Sequence, residues 1–133
     1  MVAMNKVVHF EIPYDDQQRA QKFYQDVFGW QINKFADMDY YIATTCKTDP
    51  KTMMPTELGA INGGFLKKDP TGEHPVIVIA VPSVDEHIKK IESAGGKVVM
   101  PTMKVGDFGL YARVADTEGN VIGIWQLLKQ DNH

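Results

Sequence analysis

The chain has 133 residues, 44% apolar and 23% charged, with a formal net charge of −3 and both signs interspersed, a balance that suits one compact domain and argues against disorder. No basic stripe of the kind a phosphate backbone requires is present, and the longest apolar run, "PVIVIAVP", is too short to span a bilayer. Cys46 is the only cysteine, which excludes an intramolecular disulfide or a thiolate metal cluster. The start, "MVAMNKVVHFEI", passes directly into a strand pattern without a charged-then-apolar signal design. The expectation is a cytoplasmic protein whose partner is a small molecule, with no nucleic acid and no membrane.

Lys6–Ile12, "KVVHFEI", alternates about His9 and is rich in β-branched residues, the pattern of a strand. In "PYDDQQRAQKFYQDVFGW", Ala20, Phe23, Tyr24, Val27 and Phe28 recur at helical spacing. Asp15 or Asp16 is placed to cap that helix, and Gly29 to end it. "WQINKF", "YYIATT" and "LGAINGGFL" then read as strands, with "CKTDPKTMMPTE" as the largest irregular loop, a binding lid or a plain connector. Val76–Val81, "VIVIAV", begins the plan again. "PSVDEHIKKIESAGG" spaces Ser83 and Glu86 as a capping box, places Val84, Ile88 and Ile91 on one face, and stops at Gly95-Gly96. "KVVMP", "GLYARVA" and "NVIGIWQLL" supply three further strands, the last preceded by a turn at "DTEGN".

The chain is therefore written twice as β-α-β-β-β, at about 6–66 and about 75–128, within a single domain. Each sheet gives one face to its helix, so function is expected on the other. One detail stands out in the last strand. Gly123 occupies its centre, where glycine marks a bulge or a close approach.

Three stretches, "HFEIPYDDQQRAQKFYQDVFGW", "VDEHIKKIESAGGKVV" and "ADTEGNVIGIWQ", give the chain a wider affinity. It resembles the vicinal oxygen chelate (VOC) superfamily, the group of glyoxalase I, bleomycin-resistance proteins and extradiol dioxygenases. The resemblance implies an α+β fold, in which two tandem modules form an open mixed-sheet barrel around a cavity, and it implies a homodimer. In metal-dependent members it also implies four ligands that hold a divalent ion against two neighbouring substrate oxygens. Carried over one position at a time, His9 stands at the first ligand place. Val78 stands at the second, or Ile77 or Ile79 if the register slips. Gly63 or Gly64 stands at the third, and Gly123 at the fourth, where relatives commonly carry glutamate. His9 is then the only surviving metal candidate. No cofactor is expected, since the divalent metal that the superfamily implies is not supported by this ligand count.

Alternation puts His9 on one strand face with Val7 and Glu11. That pair could bind a polar substrate or act as acid and base, or His9 could be a packed, hydrogen-bonded residue without catalysis. Glu11 is either desolvated in an apolar cleft or on a wet rim. Trp125 offers a flat wall beside the gap at Gly123, which would enlarge the cavity; the plainer alternatives are core packing and a bulge. Tyr41, Phe65 and Tyr111 are further lining candidates whose faces stay open, and His74 and His87 read as solvated. The expected function is glyoxalase-like binding of a small organic molecule without the usual metal site. Its ligand-binding residues are His9, Glu11, Val78, Gly123, Trp125, Tyr41 and Tyr111. The alternative is a metal-dependent or His/Glu-based lyase, isomerase or dioxygenase resembling glyoxalase I, with His9 and Glu11 as catalytic candidates.

Overall fold

A computed structural model describes residues 3–128. The chain forms two compact units, one from His9 to Pro75, the other from Val76 onward together with the residues up to Val8. The strand-helix-strand-strand-strand order read from the sequence is present in each half.

The first half holds β1 (Val7–Tyr14), α1 (Gln17–Phe28), β2 (Gln31–Lys34), β3 (Tyr41–Thr44) and β4 (Asn62–Lys67). Its strands lie in the order β2-β3-β4-β1, antiparallel except for the parallel β1–β4 pair. Asp16 rather than Asp15 caps α1, its carboxylate accepting from the Arg19 amide, while Asp15 pairs with Lys68 at 3.0 Å. Gly29 ends the helix at φ 72°, its amide donating to the Gln25 carbonyl. That left-handed geometry closes the orphan carbonyls of the last turn and suits a residue without Cβ.

Strand alternation then divides the residues of β1. Phe10, Ile12 and Tyr14 join Ile32, Ala43, Phe65, Ala20, Tyr24 and Trp30 in the core beneath α1, leaving His9 and Glu11 on the opposite face. The helix buries less than its periodicity suggests. Ala20 and Tyr24 meet the core, but Phe23, Val27 and Phe28 stay more than half exposed. The i, i+4 row that touches a narrow sheet is slimmer than the whole apolar stripe. The long loop is tied across its base. Asp49 exchanges backbone hydrogen bonds with Met53 and Met54, and its carboxylate accepts from the amides of Lys51 and Thr52.

The second half holds β5 (Val76–Ala80), α2 (Val84–Ser93), β6 (Lys97–Val105), β7 (Gly109–Ala115) and β8 (Val121–Leu127), in the order β5-β8-β7-β6. The β5–β8 pair is parallel and the others antiparallel. Ser83 caps α2 by accepting from the Glu86 amide at 3.2 Å. The Asp116 carboxylate accepts from the amides of Glu118 and Asn120, shaping the turn into β8, with Gly119 at φ 85°. β6 runs further than the sequence reading placed it. Its register shifts around Pro101, which has no N–H to give a ladder and is tolerated on this end strand. Val81, Val84, Ala112, Val114 and Ile124 form the core with Ile79, Ile88 and Ile91. Tyr111, Arg113, Gly123 and Trp125 therefore occupy the face away from α2.

Gly29→Ala tests the helix stop. A Cβ there meets no atom within 4 Å, so the cost is conformational alone. Urea denaturation should show a loss of about 1 kcal/mol; an unchanged midpoint would mean that the left-handed stop contributes nothing.

Candidate functional site

In the first half, the face of β1 away from α1 carries a connected polar group. Tyr40, the residue before β3, brings its hydroxyl to 2.7 Å from His9 Nε2 and donates to Glu11 Oε2 at 3.1 Å. A phenol has one proton. With that O–H donated to the carboxylate, the Tyr40 oxygen accepts from His9 Nε2–H, which places the imidazole lone pair on Nδ1. Glu11 is only 6% exposed. Burial pushes the His9 pKa below the ordinary 6.5, and the Glu11 charge opposes that shift without cancelling it. The imidazole is thus neutral at neutral pH.

The Tyr40 hydroxyl reaches this position because Gly64 of β4 has no side chain. A Cβ at Gly64 would overlap that hydroxyl. Gly64 is the register partner of Glu11, whereas Gly63 pairs with Phe10 and leaves room for the Phe10 ring on the helix side. The third ligand place therefore falls to Gly64 by face.

The second half repeats the device. Gly123 of β8 would carry a Cβ only 2.6 Å from the Tyr111 hydroxyl of β7. Arg113, 2% exposed, donates from Nε to that hydroxyl at 3.0 Å, and its guanidinium carbon lies 5.9 Å from the Tyr111 ring centroid. Val78 is buried and sits opposite Gly123 in the parallel register.

Several expectations need correction. The gap at Gly123 is not free volume beside Trp125, because the Tyr111 hydroxyl fills it. Nor is there a bulge, since β7 and β8 pair without interruption from Gly109 to Ala115. The Trp125 ring packs over a different glycine, Gly109, where a Cβ would meet its Cη2 at 2.5 Å. His87 is not solvated: it is half-buried, with Nε2 3.2 Å from the Asn5 amide nitrogen and Nδ1 3.2 Å from the Ser83 carbonyl. His74 is exposed.

Tyr41 faces the helix side, in register with the buried Phe65 and edge-on to Tyr14 at 6.3 Å. His9 and Glu11 are brought together through Tyr40, which the sequence reading passed over in favour of its neighbour. Arg113 was missed as well. A lone charge between two core-facing positions of "GLYARVA" was the available signal.

The implied divalent metal does not fit these residues. Val78 has no donor atom, Gly64 and Gly123 have no side chain, and a phenol fills the space beside each glycine. His9 Nε2 is committed to Tyr40. Among the described residues, no group of three or more His, Cys, Asp or Glu comes together in a metal-holding arrangement.

These features define a duplicated α+β protein of the glyoxalase and bleomycin-resistance type. A family model described as bleomycin resistance protein-like N-terminal matches residues 6–45. "Putative glyoxylase CFP32" of Mycobacterium tuberculosis is 32% identical over 117 residues, covering 84% of this chain and 41% of that protein. "Anthracycline biosynthesis protein DnrV" of Streptomyces peucetius is 26% identical over 124 residues, covering 88% of this chain and 45% of that protein. The chain thus spans less than half the length of these curated relatives. A solved structure of a glyoxalase/bleomycin resistance protein/dioxygenase superfamily member from Vibrio splendidus superposes with a TM-score of 0.60 at 13% identity, covering 92% of this chain and 99% of that one. The chain belongs to the vicinal oxygen chelate superfamily. No helix among the described residues is long and apolar enough to cross a membrane.

Two measurements follow from this geometry. Gly64→Ala should cost about 1–3 kcal/mol in urea denaturation, because the Tyr40 hydroxyl must leave its place between His9 and Glu11. A neutral substitution would show that Tyr40 does not rest there. Because the folded state holds the His9 pKa below 6.5, the unfolded chain takes up its proton first as pH falls. The His9 share of stability is therefore fully present above about pH 6.5 and is lost as pH falls to the lowered value. The difference in stability between the native chain and His9→Gln should shrink across that window, and a difference that is flat with pH would contradict the assignment.

Proposed function

We propose that the chain binds a small organic molecule through its strand-face side chains, without the divalent metal that serves the metal-dependent members of its superfamily. One observation carries this reading: in each half a tyrosine hydroxyl stands against the last-strand glycine where a ligating carboxylate would otherwise project. Val78 at the second ligand place supports it, being buried and apolar. In the first half, what remains for ligand contact is the neutral imidazole of His9 with its Tyr40 and Glu11 partners; in the second half, taken by itself, it is the aromatic Trp125. The name of the DnrV relative, an anthracycline biosynthesis protein, agrees with an organic ligand. We propose a homodimer as the assembly, with sedimentation velocity as its measure.

A second reading is a His/Glu-based lyase or isomerase, in the direction of the glyoxylase name carried by the CFP32 relative. The observation that favours it is the Tyr40 hydroxyl between His9 and Glu11, which would support an imidazole taking a proton from a bound molecule. Binding leads, because among the described residues no three or more His, Cys, Asp or Glu come together to hold a metal that would stabilise a developing oxyanion.

The deciding measurement is metal content by inductively coupled plasma mass spectrometry on protein purified without a histidine tag, repeated after adding zinc, nickel, manganese and iron(II). The expected result is no stoichiometric metal in any sample, and no change on His9→Ala. Near-stoichiometric metal that is lost on His9→Ala would overturn the reading.

A further inference from the structure

The cluster in the first half makes a narrower statement about its ligand, one that rests on the metal-free reading above. His9 has two ring nitrogens, and Nε2 is taken by Tyr40. Among the described residues, no protein group hydrogen-bonds to Nδ1; besides the Tyr40 bond and its ring contacts with Phe10 and Tyr40, His9 feels the charge of Glu11. Among the described residues every fully buried side-chain nitrogen and oxygen has a partner, so Nδ1 is not fully buried. It is an acceptor that the fold leaves to something else.

We infer that His9 Nδ1 is the atom that recognises the ligand, and that the ligand presents a neutral, weakly acidic hydroxyl, an enol or a phenol. An imidazole lone pair receives a donor and repels an acceptor, so a carbonyl or carboxylate oxygen finds nothing at this nitrogen. Hydroxyls of enols and phenols are stronger donors than those of simple alcohols, and they gain most from an acceptor in a partly desolvated site.

Tyr40 is a positioning residue here. Its oxygen holds the proton on Nε2, and its own proton is held by Glu11, so the tautomer that exposes the Nδ1 lone pair is set by the chain Glu11–Tyr40–His9. As a ligand hydroxyl shares its proton with Nδ1, the Nε2–H bond to Tyr40 strengthens, and so does the Tyr40 bond to Glu11. The lowered basicity of His9 keeps the ring neutral and the acceptor available at neutral pH.

The test uses the full chain with 15N-labelled histidine, metal-free, and long-range 1H–15N correlation at neutral pH. The expected spectrum shows His9 protonated at Nε2 and bare at Nδ1. Phenol should move the Nδ1 resonance. Anisole, the same ring without the donor, should bind about tenfold or more weakly, and benzoate should leave Nδ1 in place. Tyr40→Phe keeps the ring but loses the lock, so His9 should then show both tautomers while the amide spectrum stays native.

A native chain with the proton on Nδ1 overturns the inference. So does a resonance that phenol does not move, or one that phenol and anisole move alike. An unchanged tautomer in Tyr40→Phe removes the role given to Tyr40. Stoichiometric metal in the earlier measurement would sink the metal-free reading, whereas the tautomer and phenol results on apo protein judge this inference separately.

Discussion

In both halves of this protein a tyrosine hydroxyl presses against a strand glycine, Tyr40 on Gly64 and Tyr111 on Gly123. The approach is closer than any Cβ permits, so neither strand position can carry a side chain while its tyrosine stays where it is. Alternation then decides the consequence, because Gly64 and Gly123 both project away from their helices, on the face that the fold leaves for function. A position that could have held a carboxylate is instead the seat of a phenol. The polar chemistry of each face must come from elsewhere: from His9 and Glu11 on β1, and from Arg113 on β7.

Those polar groups are expensive to hide, and the structure shows how part of the cost is met. Glu11 and Arg113 are the two charged residues that are buried among those described, and each lies one bond from a tyrosine hydroxyl. Buried polar groups that keep hydrogen bonds avoid most of the desolvation penalty. The two tyrosines thus do double service, filling the glycine gaps by shape and satisfying a charge by their hydroxyls. For His9 burial is the larger influence: it keeps the ring neutral, and neutrality makes the position of its one proton meaningful.

The fold was largely legible in the sequence because its signals are local. The caps at Asp16 and Ser83, the stop at Gly29, the period-two strands and the Asp116 turn each depend on residues within a few positions of one another. Legibility failed where the answer depended on partners. Phe23, Val27 and Phe28 share the apolar period of α1, yet the sheet it covers reaches only Ala20 and Tyr24. β6 continued past Pro101 because β7 was there to pair with it.

By itself the sequence determined that the chain is a doubled β-α-β-β-β protein, that His9 and Glu11 share a face, and that the last-strand places hold no ligating side chain. Period and chain neighbours are enough for the first two, whereas the third rests on the resemblance to the superfamily, which marks where its ligands would stand. Only the tertiary structure decided what occupies the space of the missing side chains. Of the adjacent Tyr40 and Tyr41, the second pairs with Phe65 and turns to the core, which sends the first across to His9 and Glu11. That choice is one of register between β3 and β4, with the long loop between them, and a one-residue slip would exchange the two rings. The physical reason is that a strand residue's face is settled by its hydrogen-bonded neighbour, and that neighbour is distant in sequence.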